Sequence, residues 1–188
     1  LQCDLVVYTI AVSADNSELV EAKKRNISVL SYPETLRLIS SDKYTIAISG
    51  THGKTTTTAM VAKILIDAGL DPTVIVGSLL TDQKSNFISG KSDYFVVEAC
   101  EYRRSFLNIE PKILVITNID NDHLDYYKDI GEIEKAFSEM AAKLPKNGFL
   151  VCDLSDPRLQ RVAKYAKCPV FGYLLMEDDF KLKVPGAH

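Results

Sequence analysis

The chain has no tryptophan, no long apolar run and no excess of positive charge: 188 residues carry Lys+Arg 22 against Asp+Glu 25, a net charge of -3. Each absence narrows what the protein does. A net negative chain without a basic stripe among its aromatics lacks the surface that general nucleic-acid binding needs to neutralise phosphates. No stretch approaches the ~20 apolar residues that span a bilayer, and no signal peptide is visible at the start, so no membrane partner is expected. The four cysteines, Cys3, Cys100, Cys152 and Cys168, are scattered without a CxxC pair, which excludes the usual zinc-ribbon and thioredoxin-type motifs. Reduced thiols and a cytoplasmic location are the simplest expectation. Hydrophobic residues make up 46% and charged residues 25%, the composition of an ordinary globular chain long enough for one domain with a sizeable core, or for one domain plus part of another. It begins at Leu1 without an initiator methionine and looks cut at that end.

What is present is a phosphate-binding signature. Tyr44-Thr45-Ile46-Ala47-Ile48-Ser49 is short, β-branched and stopped by Gly50, as a buried strand is. Thr51-His52-Gly53-Lys54-Thr55-Thr56-Thr57 follows, and an apolar-periodic segment running to Gly69 reads as a helix. Its two flanks are expected along Met60, Ile64 and Asp67-Ala68, and along Val61, Leu65 and Ala68. Glycines let the backbone approach phosphate oxygens, N–H groups at a helix start point at the anion, and Lys54 adds positive charge. Thr55 is placed to offer its hydroxyl to magnesium. Only Thr51 and His52 separate Gly50 from Gly53, fewer than the usual pattern has, but strand, glycine turn and helix supply the required context.

Elsewhere, strands are expected at Asp4 to Ile10, Ile27 to Leu30, Thr73 to Val76, Tyr94 to Glu98, Lys112 to Thr117, Gly148 to Cys152 and Pro169 to Tyr173. Helices are expected at Glu18 to Arg25 behind an Asn16 cap, Pro33 to Ile39, Ile130 to Leu144 and after Asp156-Pro157. The alternation predicts an α/β fold, a mostly parallel sheet flanked by helices. The polar Ser40-Ser41-Asp42-Lys43 marks an expected boundary between two β-α units, 1–41, and the segment 42–188 that the phosphate-loop strand opens.

In open α/β sheets ligands gather at the carboxyl ends of strands. Three such ends are chemically loaded: the phosphate loop, Glu98, and Asn118-Ile119-Asp120-Asn121-Asp122-His123. A hydroxyl, a carboxylate and an imidazole around triphosphate oxygens would make a hard-cation site. Taken alone, His123 reads as a structural histidine. Asp120, Asp122 and Asp125 read as turn and cap residues, Cys100 as a small buried residue, and Glu101, Arg103 and Arg104 equally as substrate contacts or exposed charges.

Together, Gly50-Thr51-His52-Gly53-Lys54-Thr55, Val97-Glu98-Ala99-Cys100-Glu101-Tyr102 and Thr117-Asn118-Ile119-Asp120-Asn121-Asp122-His123-Leu124-Asp125 closely resemble the Mur ligases of peptidoglycan synthesis. The match runs through most of the chain and implies that 1–41 is the end of a Rossmann-like, UDP-substrate-binding domain and 42–188 an incomplete central ATP-binding domain. The His52 form of the loop is similar to the alanine-adding and murein-peptide-recycling branches, and EACEYRRSFL resembles the former. The resemblance implies ATP held by Gly50, Thr51, His52, Gly53, Lys54, Thr55 and Thr56, and Mg2+ held by Thr55, Glu98 and His123. It also implies catalytic roles for Lys54, Glu98 and His123, and UDP-N-acetylmuramate and L-alanine as substrates. The implied reaction passes through an acyl phosphate that an amine attacks, with phosphate leaving. Ser78 stands where the family usually has a second glycine after Gly77, and the end at Val184-Pro185-Gly186-Ala187-His188 falls where a family motif begins. A fragment unable to turn over alone is therefore expected. Another ligase of the same family, and an ATP-binding module without chemistry, are the alternatives; a phosphate-loop kinase is disfavoured because no arginine-rich lid follows the loop.

Overall fold

The computed structural model describes residues 3–80, 84–176 and 179–183; the expected motif start at 184–188 lies outside them. Strands β1 (Leu5–Tyr8) and β2 (Ser28–Ser31) pair in parallel as a small separate sheet, with helices α1 (Ser17–Lys24) and α2 (Tyr32–Ser41) following each in turn. Both helices start where their sequences dictate. Asn16 accepts from Glu18 N–H at 2.9 Å, and Ser31 and Glu34 form a reciprocal capping box.

The main sheet follows in chain order: β3 (Tyr44–Ser49), α3 (Lys54–Asp67), β4 (Thr73–Leu80), β5 (Ser85–Ile88), β6 (Tyr94–Glu98), β7 (Ile113–Ile116), α4 (Ile130–Ala142), β8 (Phe149–Asp153), α5 (Pro157–Ala163), β9 (Val170–Met176) and β10 (Asp179–Lys183). Its spatial order is β10-β9-β8-β7-β3-β6-β4-β5. Every neighbouring pair is parallel except β10 with β9 and β4 with β5 at the two edges. The largely parallel sheet is as the alternation of elements predicts. The edge strands β5 and β10 were not expected, nor was the 3-10 segment Tyr102–Asn108.

The near-continuous apolar strands are explained by burial on both faces. On one face Ala47, Phe95, Val97, Leu114 and Ile116 pack with Ile133, Phe137 and Met140 of α4 and Leu159 and Val162 of α5. On the other, Ile46, Ile48, Val74 and Val96 pack against Ala62, Val61 and Leu65 of α3. The helix α3 buries only one of its two expected flanks, for Met60 and Ile64 are 61% and 64% exposed. A helix lying on a sheet buries a stripe, and the stripe here runs through Thr58, Ala62 and their neighbours.

Phe137 is fully buried and meets Phe106 edge to face at 5.3 Å. Phe137→Ala is expected to cost about 3–5 kcal/mol, and Met60→Ala less than about 0.5 kcal/mol, in urea unfolding. Equal costs would contradict the assignment of faces.

Candidate functional site

The central strand β3 sets the site. Its register puts Ile48 beside Glu98 of β6, and Ser49 beside Ile116 of β7. The phosphate loop therefore leaves the sheet between the two other loaded strand ends. Gly50 has φ +127°, and a Cβ there would fall 2.1 Å from Thr117 Oγ1 and 2.9 Å from the Asn118 carbonyl oxygen. Only glycine lets the loop run this close to its neighbour.

The loop is stapled along that side. Thr51 N–H donates to the Asn118 carbonyl at 3.0 Å, and His52 N–H to Asn118 Oδ1 at 2.9 Å. His52's own carbonyl accepts from Thr117 Oγ1 at 2.6 Å and from Asn118 Nδ2 at 3.0 Å. Asp120 N–H donates to Thr51 Oγ1 at 2.8 Å. Thr117 and Asn118 thus shape the loop, a part that strand-end reading alone did not assign. Gly53, in the left-handed conformation at φ 79°, opens α3 with no side-chain cap. The first turn of α3 therefore presents uncapped N–H groups, the arrangement that receives an anion. His52, Gly53 and Thr56 are exposed around it, while Thr51 is buried.

Thr55 and Glu98 come together directly. Thr55 Oγ1 lies 3.1 and 3.0 Å from the two Glu98 carboxylate oxygens, and Gly77 N–H donates to Glu98 Oε2 at 2.7 Å. A Cβ on Gly77 would fall 2.8 Å from Glu98 Oε1, so this glycine makes room for the carboxylate. Hydroxyl and carboxylate oxygens, anchored by a backbone donor, are the ligand chemistry of a hard cation, and the pair fits magnesium.

His123 takes a different set of neighbours. Its Nε2 lies 3.7 Å from Glu101 Oε1 and 3.9 Å from Asp122 Oδ2. These three residues offer ligand atoms all within 4.8 Å of one another, and Glu98 is not among them. Asp122 also does the turn work expected of it, accepting from His123 N–H at 2.7 Å. Asp120 Oδ1 accepts from Asn121 N–H, and Asp125 accepts from Tyr102 OH at 2.9 Å. The Tyr102 ring packs on His123 with centroids 4.8 Å apart.

Lys54 links the two clusters. Its Nζ donates to the carbonyls of Gly50 at 2.5 Å and Thr51 at 3.0 Å, and to Glu101 Oε1 at 3.2 Å. Glu101, read from the sequence as a substrate contact or an exposed charge, is instead 1% exposed. Arg103 and Arg104, with φ of 49° and 59°, bend the chain sharply after it, and Arg104 N–H and Tyr127 OH both bond the Glu101 carbonyl. Arg104 pairs with Glu139 on α4. The expectation of a buried Cys100 is corrected, for this residue is exposed just past the end of β6. Its thiol is nonetheless held above the usual range, first by desolvation, with Glu101 and Glu98 adding to the shift and Lys54 opposing it. That keeps it protonated and argues against a nucleophile.

Tyr127 carries the shift with the clearest consequence. Burial first, then the Glu101 charge, push its phenol up to about 12, partly offset by Arg104. A folded-state value above the unfolded value of about 10 means that stability is intact below pH ~10 and is lost as pH rises towards 12. Tyr127→Phe is expected to cost about 1 kcal/mol at neutral pH for the lost 2.6 Å bond to the Glu101 carbonyl, and to flatten the alkaline fall in a urea series at pH 10 to 12. A parallel fall in both proteins would contradict the assignment. In the loop, Gly50→Ala is expected to destabilise by about 1–3 kcal/mol and more than Gly53→Ala, whose Cβ would meet nothing within 4 Å.

Among the described residues, no helix is long and apolar enough to cross a membrane. The profile of the Mur ligase middle domain matches residues 48–183. A UDP-N-acetylmuramate–L-alanine ligase of Clostridium acetobutylicum is 49% identical over 181 residues, covering 96% of this chain and 40% of that protein. The same-named enzyme of Clostridium tetani is equally similar, 49% over 181 residues with the same coverage. The chain thus spans about 40% of the length of the curated relatives it matches. Among solved structures, the Thermotoga maritima UDP-N-acetylmuramate-alanine ligase aligns with a TM-score of 0.76 at 28% identity, over 97% of this chain and 44% of that one. A UDP-N-acetylmuramate:L-alanyl-gamma-D-glutamyl-meso-diaminopimelate ligase from Neisseria meningitides shares the fold, with a TM-score of 0.75 at 23% identity over 98% of this chain and 65% of that one. With its glycine loop stapled between two parallel strand ends and the middle-domain profile running through most of its length, this chain belongs to the Mur ligase family.

Proposed function

We propose that this chain is the ATP-handling part of a cytoplasmic ligase that joins L-alanine to the carboxylate of UDP-N-acetylmuramate. The observation that carries the reading is the Thr55–Glu98 pair at the uncapped start of α3, beside Lys54. A lysine, a helix N-terminus and a hydroxyl–carboxylate pair are what a metal-bound triphosphate requires. The choice of substrates is supported by the names of relatives 49% identical to this chain. Residues 42–188 would form the ATP domain and 1–41 the end of the domain that binds the UDP substrate, consistent with the separate sheet of β1 and β2.

The chemistry follows from the weakness of a free carboxylate as an acyl donor. Phosphorylation by ATP converts it to an acyl phosphate; the amine of L-alanine then attacks the carbonyl, and phosphate leaves as the amide forms. Catalysis of phosphoryl transfer is mainly positioning and charge neutralisation. The backbone of Gly50, Thr51, His52, Gly53 and Thr56 would cradle the phosphates, and Lys54 would neutralise the one transferred. Thr55 and Glu98 would hold Mg2+, with His123 contributing from the Lys54 side of the loop. Bound there, the cation would neutralise charge on the terminal phosphates.

Calorimetric titration of this chain with ATP is expected to show tighter binding with magnesium than without. Thr55→Ala and Glu98→Gln should each remove most of that gain, and Lys54→Met should weaken binding about 10- to 100-fold, the worth of one charge-assisted hydrogen bond. Binding indifferent to magnesium and to Glu98 would reduce the reading to a nucleotide-binding module without chemistry.

A further inference from the structure

The nucleotide reading gives Lys54 to phosphate, yet in this structure all three ammonium protons are already taken. Two go to the Gly50 and Thr51 carbonyls and the third to Glu101. Lys54 is 12% exposed at its side chain and Glu101 only 2%, so the ion pair sits largely out of water. Both Glu101 oxygens are within 3.2 Å of Lys54 Nζ, but buried Oε2 receives no hydrogen bond from any described residue. A carboxylate so placed takes its compensation chiefly from Lys54, the other neighbour being His123 Nε2 at 3.7 Å from Oε1. Removing one partner of a buried pair is far more costly than weakening an exposed one.

We infer that Glu101 is a positioning residue that acts through Lys54 and makes the site favour nucleotide that arrives with its cation. The inference rests on the nucleotide reading above. Glu101 holds the ammonium over the Gly50 and Thr51 carbonyls and keeps the loop formed. Drawing Lys54 towards a phosphate strips Glu101 of its counter-charge and leaves an anion facing an anion. Free ATP offers nothing in exchange. Cation-bound ATP lowers that cost, because a cation held by Thr55 and Glu98 neutralises phosphate charge and leaves less of it facing Glu101 once Lys54 has moved. The pair thereby works as a filter, loose enough to yield Lys54 to the correct nucleotide form and costly to break for the other.

The readout is the ratio of ATP dissociation constants measured by calorimetry in EDTA and in excess magnesium, for the unaltered chain and for Glu101→Gln. The glutamine keeps the shape and removes the charge. It is expected to tighten metal-free ATP by about tenfold while changing magnesium-ATP much less, so that the ratio falls by about tenfold. A merely structural role would weaken both forms together and leave the ratio unchanged, which overturns the proposal. The same substitution placed on Lys54→Met should leave the ratio where Lys54→Met alone puts it; a persisting fall means that Glu101 acts as a general charge and not through Lys54, and also overturns it. If Glu101→Gln does not fold, the carboxylate carbon resonance of Glu101 in the unaltered chain is expected to shift when metal-free ATP is added, and an unmoved resonance in a nucleotide-saturated sample contradicts the proposal. Failure of the unaltered chain to bind ATP in either condition would instead remove the nucleotide reading itself, and this inference with it.

Discussion

The hydrogen-bonded register of β3 between β6 and β7 is the constraint on which the site depends. Parallel pairing brings Ile48 level with Glu98 and Ser49 level with Ile116, so three strand ends arrive at one edge together. Because side chains alternate, a slip of one residue would turn Ala47 from one core to the other and carry Ser49 and the loop away from Thr117 and Asn118. The two packed faces oppose such a slip. Ser49 Oγ adds a local lock by donating to the Ala99 carbonyl at 2.7 Å.

From that frame the electrostatics follow. A loop that offers backbone N–H groups and a lysine is costly to leave as an unpaired concentration of positive charge, and the fold answers with two acidic groups of different character. Glu98 is partly exposed and hydrogen-bonded by Gly77 and by Thr55, with which it is proposed to take the cation. Glu101 is buried, with Lys54 Nζ at 3.1 Å and His123 Nε2 at 3.7 Å, so among the described residues its charge is balanced chiefly by the lysine. The two carboxylates are only three residues apart in sequence yet hold different side chains at the start of α3, Glu98 the Thr55 hydroxyl and Glu101 the Lys54 ammonium.

Much of this was legible in the sequence because the residues involved obey local rules. The apolar run before Gly50 and the Asn16 and Asp156 caps each specify an element from a few neighbouring residues, and the structure has these elements. The pairing of Thr55 with Glu98 was foreshadowed by Glu98 closing β6 and Thr55 following the loop that leaves the neighbouring β3. Glu101 and Cys100 were not legible, since burial there is decided by the left-handed turn at Arg103 and Arg104 and by α4, not by any local pattern. The edge strands β5 and β10 escaped because they are short, four and five residues, too few to set up a clear alternation. The two flanks of α3 were alike in hydrophobicity, and only the sheet beneath chose between them.

The most direct test of the account is a crystal structure of this chain with a non-hydrolysable ATP analogue and magnesium. The account predicts the triphosphate against the backbone of Gly50 to Thr56, with the cation on Thr55 Oγ1 and the Glu98 carboxylate and Lys54 turned from Glu101 to phosphate. A nucleotide bound away from the start of α3, or a cation that leaves the Thr55–Glu98 pair intact, would contradict it.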